Sequence, residues 1–187
     1  MALLILGLLI FTGAHLFKRA FPDKRAALAE RLGDGPARGV FGAILTFAIV
    51  LMVIGYRQAE YVWVFVPPPW TVHVNNLLML AAFMLIGMGH SKGRSRSWFR
   101  HPMLLGVTVW AFAHVLVTGH LAALILFLGL AGWANMHMAI INAQEGPWKR
   151  PEPGPITGDL RLLAIGLTLF AVTAAIHTWL GVWPFPR

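Results

Sequence analysis

Long apolar runs alternate along this chain with short polar connectors, and the length of the runs predicts helices that cross a membrane. A transmembrane helix needs about 20 predominantly apolar residues to span a hydrocarbon core of roughly 30 Å. Six runs approach that length: Ala2 to Phe17, Arg38 to Tyr56, Val72 to His90, Pro102 to Thr118, His120 to Ile141 and Asp159 to Gly181. The pattern predicts an all-α, polytopic membrane helix bundle of six transmembrane helices, with residues 1–187 as a single domain. Lys18 and Arg19 follow the first run instead of preceding it, so it reads as a retained helix and not as a secretory signal. Thr118-Gly119-His120 is a short polar break that predicts a tight antiparallel hairpin. The longer connectors read as irregular: Pro22 to Pro36 is charged, Pro67-Pro68-Pro69 extended, and Gly146 to Gly158 crowded with proline.

Composition supports the same solvent, since 58% of residues are hydrophobic and 12% charged. The net charge of +8 would suit nucleic acid, but its distribution argues for topology instead. Lys18, Arg19, Lys24, Arg25, Arg31 and Arg38 lie in the first connector, Lys92 to Arg100 in the third, and Lys149, Arg150 and Arg161 around the fifth. The alternate side carries only Arg57 and Arg187. Basic loops stay cytoplasmic, which predicts both termini on the non-cytoplasmic side, with Trp63, Trp70, Trp179 and Trp183 as an aromatic belt there. Membrane lipid is the expected partner, the Lys92 to Arg100 run touching anionic head groups, and no nucleic acid is expected. With no cysteine, any metal must be held by nitrogen or oxygen.

Candidate chemistry comes from histidines inside the apolar runs. His15, His114, His137 and His177 all lie among Leu, Ile, Ala, Val and Phe, where an ionisable side chain is costly and marks a functional site by default. A histidine hydrogen-bonded between helices is the plainer explanation for each of them. His73, His90 and His120 sit at span edges and read as interfacial. Arg100-His101-Pro102 opens the fourth span, with Pro at the first helical position. The free amides of that turn beside Arg94, Arg96 and Arg100 suit a phosphate, a carboxylate or a haem propionate. Tyr61 to Trp70, rich in aromatic residues, reads as an interfacial segment or as a lid for a long apolar substrate, and Asn75 or Asn76 as a cap for the third span.

Arg100-His101-Pro102-Met103-Leu104-Leu105-Gly106, followed by Trp110-Ala111-Phe112-Ala113-His114, resembles the signature of the NnrU family of bacterial membrane proteins. Gly13-Ala14-His15-Leu16-Phe17 with Arg19, and His177 with Gly181 and Pro184, resemble the family's other landmarks, so the likeness spans nearly the whole chain. It implies a bacterial inner-membrane protein associated with denitrification and nitric oxide metabolism. The plant 15-cis-zeta-carotene isomerase is similar over the same motifs. That resemblance implies haem b, with axial ligands at the positions of His15 and His114 and propionates met by Arg19 and Arg100. Ala111 stands where the isomerase has a cysteine, so chemistry that uses that thiol is absent or different here.

The residues themselves leave the ligand pair open. Neutral imidazole is a common haem ligand, and Gly13, Ala14, Ala111 and Ala113 are small enough to leave room beside a porphyrin. At about 1.5 Å per residue His114 lies roughly 20 Å along its helix from Arg100, which puts it about 13 Å from the depth of His15. Depth alone pairs His15 with His137 and His114 with His177. Three functions remain: a haem redox or sensing component linked to nitrogen oxides, a haem-dependent cis-trans isomerase of a lipid-soluble polyene, and a membrane methyltransferase. The last rests on an Arg-His-Pro motif like that of isoprenylcysteine carboxyl methyltransferases but lacks their paired glutamates. A non-catalytic assembly factor fits the same residues, and a lipid-soluble substrate or a redox partner is the expected ligand.

Overall fold

The computed structural model describes residues 1–186; Arg187, counted above on the outer side, lies outside them. Among the described residues the chain is all-helical: α1 (Ala2–Ala20), α2 (Pro22–Leu32), α3 (Asp34–Arg57), α4 (Thr71–Met88), α5 (Pro102–Thr118), α6 (Leu121–Glu145) and α7 (Ile156–Trp179), with a 3-10 turn at Arg94–Ser97. Helices α1, α3, α4, α6 and α7 are long and apolar enough to cross a membrane, and α5 is a shorter apolar helix of the same kind. The six expected spans are therefore all helical. The chain forms a multi-pass membrane protein, which is in contact with lipid.

Connector 1-2 departs from its expected irregularity, because α2 occupies most of it. Pro22 starts this helix where its missing N–H costs nothing, Asp23 lies in the first turn and Arg31 in the last, and Gly33 ends it at φ 85°. Ala, Leu, Glu, Lys and Arg between those signals are strong helix formers. Charge hid the helix from a search for apolar runs. Helices α1 and α3 also extend into the charged flanks that hydropathy excluded.

The chain divides into two compact units: Met1–Trp63 with His120–Gly129, and Val64–Gly119 with the segment from Leu130 onward. In the first unit α1 packs on α3 through small residues. A side chain on Gly55 would run into the backbone of Leu3 and Leu4, and one on Gly7 would lie 2.7 Å from the carbonyl of Ala48. Leu4 and Ala48 are wholly buried at this crossing, while Leu9, Phe47 and Val53 point outward. Lipid is as apolar as leucine, so helices associate in it through close van der Waals fit and not by burying large side chains. Ala122, Ala123 and Gly129 continue the small-residue packing on the first half of α6, Gly129 against the side chain of Leu8.

In the second unit α4 packs against α5 and α7. Gly106 lies against Ala82 and Ile86, and Gly166 against Met84. The expected hairpin is present: Gly119 turns the chain at φ 61°, and Thr108 with Asn135, then His101 with Asn142, pair α5 antiparallel to the later half of α6. Asn75 and Asn76 lie one turn inside α4 and do not cap it; Asn76 Nδ2 donates to the carbonyl of Pro184 at 3.0 Å instead. The proline-rich stretch before α7 is irregular as expected. Gly154 and Gly158 let it lie directly on the backbone of Lys92 and Gly93.

Replacing Gly55 by Leu overpacks the α1–α3 crossing at a cost of about 1–3 kcal/mol and lowers the thermal midpoint of the detergent-solubilised protein by several degrees. Gly42→Leu, at a glycine with nothing within 4 Å of an added side chain, leaves the midpoint where it was. Equal losses from both would contradict the crossing.

Candidate functional site

The Arg100-His101-Pro102 motif joins the start of α5 to the end of α6. His101 Nε2–H donates to Asn142 Oδ1 at 2.9 Å, since an amide oxygen can only accept. Arg100 Nη1 donates to the Gly146 carbonyl at 2.6 Å, and its Nη2 lies 3.6 Å from Glu145. A carboxylate does sit in the neighbouring basic turn, and it belongs to the protein. Asp159 accepts from the N–H groups of Arg94 at 2.9 Å and Ser95 at 3.0 Å, and from the Ser95 hydroxyl at 2.6 Å.

Three of the intramembrane histidines share one local geometry. His15 Nδ1 bonds the Phe11 carbonyl at 2.9 Å, His114 Nδ1 the Trp110 carbonyl at 2.8 Å and His177 Nδ1 the Thr173 carbonyl at 2.8 Å. A carbonyl cannot donate, so in each ring Nδ1 carries the proton and, in the neutral imidazole, Nε2 is the lone-pair nitrogen. Each helix thereby sets the tautomer of its own histidine. An aromatic ring one turn earlier shields two of these imidazoles: Phe11 beside His15 at 4.4 Å and Trp110 beside His114 at 5.2 Å between centroids. His137 repeats the spacing, 5.8 Å from Trp133.

His114 on α5 and His177 on α7 both stand in the second unit. His15 and Arg19 stand on α1 in the first unit, Arg19 in the helix's last turn. Arg100, also in the second unit, is committed at least in part to Gly146 and Glu145. Of the small residues expected to leave room for a porphyrin, Ala111 and Ala113 are fully buried in packing, whereas a side chain on Gly13 would meet open space. Among the described residues no three His, Asp or Glu side chains cluster as a metal site. A haem needs only one or two such ligands.

His120 is the residue that span-edge reasoning misplaced. It is buried, with 8% of its surface exposed. Its Nδ1 accepts the N–H of Ala123 at 3.4 Å, capping the first turn of α6, so Nε2–H donates to the Tyr56 hydroxyl at 3.0 Å. The Tyr61 ring lies 4.6 Å away and Trp63 bridges to His120 through the backbone. His73 and His90, by contrast, are exposed as expected of interfacial residues. The signal available for His120 was its position immediately before a long apolar run, where a polar acceptor caps a helix.

The fold and these imidazoles define the class: an all-helical, multi-pass membrane protein with histidines in its apolar helices whose Nε2 is left as the lone-pair nitrogen. The sequence matches the NnrU protein family over residues 3–184, and the chain belongs to that family. No curated protein and no solved structure matches it.

Burial holds the His120 pKa below its ordinary value of 6.5. A depressed folded pKa means the cap contributes fully above the unfolded value and is lost as pH falls from about 6.5 toward the folded value. Protection of the Ala123 amide against hydrogen exchange, taken relative to its intrinsic rate at each pH, should therefore fall between pH 7.5 and roughly pH 5 in the native protein. His120→Asn, which keeps an acceptor at the cap, should show no such step; an equal step in the variant would assign it to another group.

Proposed function

We propose that the chain is a haem-binding protein of the bacterial inner membrane, a redox or sensing component for nitrogen oxides, with His114 as its central iron ligand. The observation that carries this reading is the shared Nδ1-to-backbone bond of His15, His114 and His177. A ligating imidazole is ordinarily held this way, one nitrogen fixed by a carbonyl or carboxylate and the other given to the metal. The donor set fits a porphyrin iron in a chain without thiolates. His177 is a candidate second ligand in the same unit as His114, with the same tautomer. His15 is the second ligand favoured by the family resemblance, and it presents the same tautomer. Haem supplies reversible electron transfer and a coordination position for small ligands such as nitric oxide. The protein's part is to orient the imidazoles and keep water from them.

One observation favours a second reading, a haem-dependent cis-trans isomerase of a lipid-soluble polyene. Phe170, Ala174, Thr178, Trp179 and Phe185 line a shallow, open apolar groove on α7, the helix that carries His177.

Gently purified protein, supplied with haem, should show a Soret band that shifts on reduction. His114→Ala should abolish it and His120→Ala should preserve it. Loss with His177→Ala but not His15→Ala selects the pair within the second unit, and the converse selects the pair that the resemblance implies. Polyene turnover by the reduced protein would favour the isomerase. A colourless protein that takes up no haem ends both readings.

A further inference from the structure

We propose that the second unit carries a separate binding site for the phosphate group of an anionic membrane lipid, in the cavity between the end of α4 and the start of α5. The cavity has a volume of about 360 Å³, within the range of small-ligand sites. Its wall combines two guanidinium groups, from Arg96 and Arg100, with the Ser91 hydroxyl and the rings of Phe99 and Trp148. Arg96 is exposed and makes no ion pair or hydrogen bond among the described residues. Arg100 uses one N–H on Gly146 and turns Nη2 toward Glu145, out of the five N–H groups a guanidinium has. Arg150 stacks over the Trp148 ring at 5.4 Å, adding a third positive charge behind the wall.

Four features select a phosphate on a lipid. The two loops that build the cavity, residues 89–101 and 146–155, hold six basic residues (Lys92, Arg94, Arg96, Arg100, Lys149 and Arg150) against one acid, Glu152, with Glu145 of α6 facing Arg100 beside them. Paired guanidinium groups match the oxygens of a phosphate, and they do so better than ammonium groups. Met88, Phe99 and Trp148 also line the cavity, so a glycerol backbone and the first carbons of an acyl chain would find apolar contact that a free anion does not use. The cavity also lies at helix ends on the basic-loop side, the level at which head groups sit. Asp159 does not compete for the site, because its carboxylate is already bound by the Arg94 and Ser95 amides and the Ser95 hydroxyl.

The position separates this site from the proposed haem ligands. His114 lies fourteen residues along the chain from Arg100, or about 20 Å as helix, and lipid binding in the cavity can be read without any haem present. Its test is accordingly independent of haem.

The full chain in mild detergent is titrated with short-chain phosphatidylglycerol, short-chain phosphatidylcholine and inorganic phosphate, with bound adducts counted by native mass spectrometry. Phosphatidylglycerol should bind more tightly than phosphatidylcholine, and Arg96→Gln should weaken it roughly tenfold, the order expected for one charge-assisted bond. Arg31→Gln, an equal charge loss on α2, should leave binding unchanged. Phosphate that competes only at far higher concentration supports the lipid as ligand. Phosphate that binds as tightly as phosphatidylglycerol overturns the lipid and leaves a soluble phosphate compound as ligand. Equal binding of the two lipids, or equal loss in Arg31→Gln and Arg96→Gln, overturns the site itself.

Discussion

Hydrocarbon offers a polar side chain no hydrogen-bond partner, so each polar group placed in a span must find one on the protein, and most find it one turn back on their own helix. Thr108, Thr118, Thr168 and Thr178 donate to the carbonyls four residues earlier, and so do Asn135, His15, His114 and His177. A threonine hydroxyl bonded in this way has used its one proton and can only accept at the same oxygen, as Thr108 does from Asn135. An imidazole has a second nitrogen on the far side of the ring, and bonding the first as donor makes the second an acceptor. The solvent constraint that forces the local bond thus also sets the tautomer on which the proposed ligand role depends.

The same solvent explains the packing. With no gain from hiding leucine, the close contacts fall on Gly7, Gly55, Gly106, Ala48, Ala111 and Ala123, and large side chains such as Leu9, Leu77 and Trp179 face outward. Backbones brought this close hold helix faces in fixed register. A histidine one turn from a buried alanine, as His114 is from Ala111, inherits that register without needing large neighbours of its own.

Much of this was legible in the sequence. Apolar run length located every span, and Gly119 marked the α5–α6 turn. The positions of the histidines picked out the rings that later proved to share one tautomer. Helix α2 escaped because the search looked for apolar runs, although Pro22, Asp23, Arg31 and Gly33 are ordinary start and stop signals. The partners of Arg100, Asp159 and His120 escaped for a different reason. Asp159 meets Ser95 across 64 residues, and Tyr56 meets His120 across the same separation. No local pattern records which distant group will satisfy a charge or a ring nitrogen. The family resemblance supplied a ligand pair that depth arguments did not favour, and the shared tautomer of His15, His114 and His177 suits either pair.

Arg100 shows how one motif can serve two ends. From sequence it looked like an anion site at a helix start, and its guanidinium instead closes the last turn of α6 through Gly146 and Glu145 while still facing a cavity with Arg96. Docking part of an arginine on a carbonyl removes rotamer freedom that a ligand would otherwise have to freeze. The remaining N–H groups are then presented in fixed geometry at lower entropic cost. A structural bond made by one edge of the guanidinium therefore makes the other edge a better binding surface, just as the backbone bond of each intramembrane imidazole does for its Nε2.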